Sequence, residues 1–294
     1  MEYEFQKCAS DIKEWKAHLL RTVNQEMGQQ EALNQLKDDG ALLVMDWAMK
    51  YMPQTYHEKM TDFFGKQGVN WHVSAVITKK ENSDECYVHI FQSCTQNWFA
   101  VASLIENLLM NIKKTDSVSR VFFRSDNAGC YHNAALILSL PEIGRRVGIE
   151  ICRYDFSDAQ AGKDIWGRKI GPMKAHIKQW VYEKHNVTTA EEMKEALDSH
   201  GGVAGCQVAV CKLDTSKQDA SNTKLEGISH YNNFEYRDGD ICMWKAYTGN
   251  IGKGKVYKVA EIADKLQGPT GLVVLDDFTP NNSWNHFVGT REQR

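Results

Sequence analysis

Proline is scarce in this sequence, with five among 294 residues, and no low-complexity tract is present. Those two absences exclude a Pro-rich or disordered chain and point to an ordinary folded one. No apolar run approaches membrane-spanning length, so no transmembrane segment is expected. The opening residues, MEYEFQKCAS, lack the basic and apolar stretches of a signal peptide, and an intracellular protein of the nucleus or cytoplasm is expected. Eight cysteines are scattered singly, at positions 8, 86, 94, 130, 152, 206, 211 and 242, with no CxxC pair. A zinc site is therefore not expected; Cys206 and Cys211 with Cys242 are the best set available, and reduced, buried thiols are the default. Nor is there an excess of positive charge. A net charge of −3 excludes a basic coat, so any contact with nucleic acid has to come from a local patch.

What is present centres on Arg120 to Asn133, RVFFRSDNAGCYHN. The apolar run Val121-Phe122-Phe123 leads to a single acid, Asp126, before the turn Asn127-Ala128-Gly129. A strand ending on an aspartate places a carboxylate at the carboxyl edge of a sheet, where open α/β sheets hold ligands. The plainer alternative is an Asx-turn or helix-capping aspartate. A second acid, Asp46, sits in the apolar run ALLVMDWAMK, where an unpaired charge demands a partner or a metal.

Taken in order, residues 1–39 carry Phe5, Ile12, Trp15, Leu19, Val23, Met27, Leu33 and Leu36 at helical spacing. One or two amphipathic helices packing against the following chain are expected. Strands are predicted at Ala41–Trp47, Val69–Lys79 and Glu85–Gln92, then a helix near Gln96–Lys113, the strand at Arg120, and a helix from Cys130 ended near Pro141. A strand at Gly148–Phe156 follows, then a long helical region that Gly171-Pro172 should kink or split. Hairpin-linked strands followed by helix-linked, parallel ones are the layout of a ribonuclease-H-like α/β domain. The expected sheet is mixed and five-stranded, flanked by helices, with the first and fourth strands adjacent. The domains read as 1–40 helical, 41–214 ribonuclease-H-like, and 215–294 a small β-rich appendage. GNIGKGK, Gly249 to Lys255, lacks the spacing of a phosphate loop and is expected to be a hairpin loop.

Carboxylates on adjacent strands repel one another and stay ionised around a cation. Two Mg²⁺ or Mn²⁺ ions about 4 Å apart would activate an attacking oxygen and stabilise the leaving one in phosphodiester cleavage. Hard oxygen ligands suit these metals better than zinc. A third acid would come from the last helix, and of Asp158 and Asp164 the second is preferred, since Asp158 stands where a helix cap is wanted. Lys163, Arg168, Lys169, Lys174 and Lys178, with His176, form the most basic region; a solvated face and a phosphate-binding patch both fit it. His72, His89 and His132 lie near the acids in sequence, but single histidines are more often packed; only His132 is close enough to watch.

LLVMDWAMKYMP, FFGKQGVNWHV, RSDNAGCYHN and DFSDAQAGK…RKIGPMKAHI resemble a group of transposase-derived proteins of invertebrate genomes with a ribonuclease-H-like DDE/D core akin to Mutator-type transposases. The resemblance runs from about Trp15 to Tyr247. It implies Mg²⁺- or Mn²⁺-dependent DNA cleavage and joining, with Asp46 and Asp126 matching the first two catalytic acids. In those relatives the last helix reads GKGxCDRK, whose aspartate would be the third ligand. Here GKDIWGRK places Gly167 at that position and Trp166 at the cysteine, and the Cys/His fingers that follow in the relatives are missing. Two readings stay open: a DNA nuclease or strand transferase using Asp46, Asp126 and Asp164, and a catalytically lapsed domain that binds nucleic acid or protein. A nuclease acting on RNA or RNA–DNA hybrids is a third. DNA is the expected partner and RNA the next; a homodimer is admitted and a membrane is not.

Overall fold

The computed structural model describes residues 2–59, 61, 64–79, 85–115, 118–157, 163–218, 225–245, 254–258 and 270–279, with the helical backbone alone at 163–167. Alternating apolar residues build three strands, β1 (Gly40–Trp47), β2 (Asn70–Thr78) and β3 (Glu85–Phe91), paired as an antiparallel meander. Helix α2 (Trp98–Thr115) returns the chain to β4 (Arg120–Asp126), and α3 (Ala134–Val147) returns it to β5 (Glu150–Ser157). Both crossovers are helices, and β4 pairs parallel with β1 and β5 parallel with β4. The inner order β3-β2-β1-β4-β5 resembles the ribonuclease-H-like architecture.

Among the described residues the sheet has ten strands, where five were expected. Beyond α4 (Lys163–Tyr182) and α5 (Ala190–Asp198), β6 (Cys206–Leu213) joins β3 in parallel. Then β7 (Asn233–Arg237), β8 (Asp240–Trp244) and β9 (Lys255–Lys258) extend the β5 edge, and β10 (Leu272–Asp276) closes onto β6. The C-terminal strands thus lengthen the same sheet. Strands β8 and β9 are antiparallel neighbours, as a hairpin requires; most of GNIGKGK lies outside the described residues.

Strand alternation divides the core. Ala41, Leu43 and Met45 of β1 pack with Ile105 and Leu109 of α2 and Leu136 and Leu140 of α3 on one face. On the other, Trp71 and Val73 of β2 meet Met173 and Ile177 of α4 and Met193 of α5. Leu42, Val44 and Ala75 pack around Leu36 on that second face.

Three helical expectations need correction. The N-terminal region is a single helix, α1 (Glu2–Gln35), as one of the two expected arrangements had it, but it docks through Gln25, Gly28 and Ala32, with Leu33 and the following Leu36, while Phe5, Ile12, Trp15, Leu19, Val23 and Met27 are exposed. Helix α3 starts at Ala134 because the Asn133 side chain caps the Ala135 N–H, and it passes through Pro141 to end at Gly148 in a left-handed conformation. Burial of Leu140 just before the proline and of Ile143 and Gly144 beyond it outweighs the hydrogen bond it removes. Helix α4 likewise runs through Gly171-Pro172, held by the buried Met173/Ile177 stripe.

Candidate functional site

Asp46 is the last but one residue of β1 and Asp126 the last of β4. The parallel register ends at Met45↔Ser125, which brings the two aspartates next to each other at the carboxyl edge of both strands. Alternation turns both toward the α4 face, since Asp46 is the cross-strand partner of Val73, whose neighbours are Met173 and Ile177 of that helix. Both acids are half-buried.

Burial, then the charge of Asp126, pushes the Asp46 carboxyl up to about 7. Burial raises Asp126 too, opposed by the Ala128 N–H, which its Oδ1 accepts at 3.1 Å. Asp126 therefore closes an Asx-turn while flanking Asp46. The rest of the turn is held by Ala128, whose carbonyl accepts from the N–H groups of Tyr131 and His132.

Cys130 lies close enough to both acids that their charges add to burial in raising its thiol to about 11, so it stays protonated beside them. His132 packs against Phe156 and Phe234 at 4.6 and 5.7 Å between ring centroids. His72 and His89 are cross-strand partners, fully buried and held neutral by burial. The Cys206 and Cys211 side chains belong to different core clusters on opposite faces of β6, and Cys242 lies on β8 near the far edge. Among the described residues, no group of three or more His, Cys, Asp or Glu is placed to hold a metal ion.

Asp158 lies outside the described residues, as do the side chains of Lys163 and Asp164, while Gly167 is described by its helical backbone. Of the remaining basic residues on α4, Arg168, Lys174 and Lys178 are exposed, with Lys178 Nζ 5.5 Å from the Tyr182 ring centroid. Lys169 leans inward: after a hydrogen bond with Cys86, its charge is what lowers the Cys206 thiol.

One charged group near the acids was not singled out from sequence. Arg124, two residues before Asp126, is buried and donates from Nη1 to the Gln25 carbonyl of α1 at 2.9 Å. Arg153 beside it donates to the Gly28 carbonyl at 3.1 Å and pairs with Asp155, which also accepts from Asn233 at 2.7 Å. An arginine inside the apolar run VFFRSD was the available signal, since a buried guanidinium must find acceptors.

These features define a mixed α/β protein with a central sheet flanked by helices, ribonuclease-H-like in its inner strand order, with an acidic pair at the carboxyl edge. The family described as "Domain of unknown function (DUF8701)" matches residues 25–232, and the chain belongs to that family. No curated protein matches the sequence. Among solved structures, the Mos1 transposase paired-end complex with left transposon end is similar at 14% identity and a TM-score of 0.34, over 60% of this chain and 52% of that one. The Mos1 mariner paired end complex with Mn follows at 12% identity and a TM-score of 0.32, over 60% and 56%. The human cytomegalovirus terminase nuclease domain, Mn soaked and inhibitor bound, is at 7% identity and 0.24, over 53% and 70%. The chain spans about half the length of the transposase chains it matches. Its own strand order, not these overlaps, carries the ribonuclease-H-like architecture.

Proposed function

We propose that this chain is a nucleic-acid-binding domain of transposase descent that holds DNA without cutting it efficiently. The supporting observation is the pair Asp46 and Asp126, joined by no further metal-ligating group among the described residues. Two carboxylates by themselves fit one hydrated Mg²⁺ or Mn²⁺, which would neutralise their charge; the two-metal centre that strand cleavage and transfer need requires a further ligand, which the described residues do not supply.

The phosphate backbone is met by α4, on the same face as the acids, through exposed Arg168, Lys174 and Lys178. Lys163 adds to that group by sequence, and Lys169 serves the inner side. Such contacts position DNA without reading its sequence, so affinity should depend steeply on salt.

The test is fluorescence anisotropy of a labelled DNA duplex over a range of salt. Wild type should bind with a steep log–log salt dependence, and Lys174→Ala with Lys178→Ala should flatten its slope by about 2. Binding insensitive to salt, or unchanged in the double variant, would remove α4 from the interface. Tighter binding of an RNA–DNA hybrid in the same assay would replace DNA as the ligand.

A further inference from the structure

We infer that the first two-thirds of α1 is a self-association helix, which pairs in parallel and in register with α1 of a second copy of this chain. Helix α1 is 34 residues long, yet only Gln25, Gly28 and Ala32 in it are buried. Ahead of them Phe5, Ile12, Trp15, Leu19 and Val23 stand in solvent, Phe5 with 76% and Trp15 with 60% of its surface exposed. At about 100° per residue these five fall within one stripe roughly 90° wide, turned by roughly 150° from the docked residues, while the exposed Tyr3, Leu20 and Met27 lie outside it. The stripe is turned away from the face that docks on the sheet, and the described residues leave it uncovered.

The spacing identifies the occupant. Phe5, Cys8, Ile12, Trp15, Leu19 and Thr22 alternate three and four apart, the a and d positions of a heptad, with no glycine or proline before Gly28. A period of 3.5 residues is the seam of two helices wound on each other, whereas a helix lying on a globular partner shows a broader face. Charge fixes the direction. Asp11 falls at a g position and Lys16 at the following e position, so a parallel, in-register pair sets each Asp11 against the partner's lysine, twice by symmetry. An antiparallel pair would instead set g against g, where Glu4 and Asp11 carry the same sign. Because the docked and free stripes lie on nearly opposite sides of α1, the two-fold axis of a parallel pair leaves the domains on its outer flanks without collision. A helix with so little of its length packed gains its stability from such a partner.

Parallel pairing places the two Cys8 thiols face to face, and Cys8 is the exposed cysteine of the eight. The test is mass by light scattering at tens of micromolar chain, together with diamide treatment and non-reducing gels. Wild type should have the mass of two chains, and diamide should cross-link it through Cys8, a band lost in Cys8→Ser. Ile12→Asp with Leu19→Asp, both at exposed positions, should halve the mass while leaving the melting of the domain cooperative. A wild-type mass of one chain, a dimer that survives the double substitution, or a dimer with no Cys8 cross-link would each overturn the assignment. None of these readouts involves DNA, so the outcome is independent of whether the domain binds nucleic acid.

Discussion

Asp46 and Asp126 stand side by side on adjacent parallel strands, and the charge of the second adds to burial in keeping a proton on the first. Such a pair is a liability for folding unless something positive joins it.

The liability has a sign and a pH window. A carboxyl whose folded pKa is raised from 3.8 to about 7 carries no penalty below the lower value. As pH rises between the two, the unfolded chain has already released its proton and the folded one has not, so stability falls until about 7 and is flat above. Asp46→Asn removes this loss. Its melting temperature should match wild type near pH 3 and exceed it by a growing margin up to pH 7; scanning fluorimetry across pH reads the gap. A gap constant with pH would mean that Asp46 does not titrate as its surroundings require.

The Arg153–Asp155 pair should show the opposite behaviour, a charge that cannot be removed singly. Both side chains are buried, with 8% and 6% exposure, and Asp155 also anchors Asn233 of β7. Asp155→Ala leaves the guanidinium without its counter-charge and should cost about 3–5 kcal/mol in urea unfolding. Arg153→Met combined with Asp155→Leu should cost less than the sum of the single changes, because the Arg153 guanidinium no longer stands uncompensated, although buried Arg124 still loses the nearby charge of Asp155.

Gly144 inverts the usual helix rule. Alanine normally stabilises a helix interior over glycine by roughly 0.5–1 kcal/mol. Here a Cβ would lie 2.6 Å from the Ile149 carbonyl oxygen, a backbone atom that cannot swing away. Gly144→Ala should therefore destabilise by about 1–3 kcal/mol, read as a lower urea midpoint with unchanged slope.

Much of this arrangement is legible in the sequence, because it is written in local pattern. The apolar runs of β1 to β5 and the helices between them imply the strand order, and the order implies that residues 46 and 126 are neighbours. What escapes is non-local. Nothing around Phe234, Val256 or Val273 announces that these strands lengthen the central sheet, since edge pairing depends on which edge is free. Helix α1 misleads more directly. Of its large apolar residues at helical spacing only Leu33 and Leu36, at the end, pack on the sheet; the rest of the docked face is Gln25, Gly28 and Ala32, where the Gln25 and Gly28 carbonyls accept from Arg124 and Arg153. Small residues there let two buried arginines reach the helix backbone, a signal that hydrophobic periodicity does not register. Pro141 escapes for the same reason: its cost is local and the packing that outweighs it is not.

The proposed function is tested most directly at Gly167, the position at which the resemblance to transposase-derived proteins implies an aspartate. Two carboxylates hold one divalent cation weakly, and misplacing a reacting group by about 1 Å can cost roughly a hundredfold in rate. Wild type should therefore nick supercoiled plasmid feebly in Mn²⁺. Gly167→Asp should raise Mn²⁺-dependent nicking on the order of tenfold or more, and adding Asp126→Asn to that variant should abolish the gain, which excludes a contaminating nuclease. Asp164 lies three residues earlier in the same helix, about one turn of rise away and roughly 60° around it. Strong wild-type nicking that Asp164→Ala destroys would make Asp164 the third ligand and return the chain to the strand-cleaving class. Nicking absent from every variant would leave α4 and its basic residues as the functional surface, with the acidic pair as a remnant that binds a cation at most.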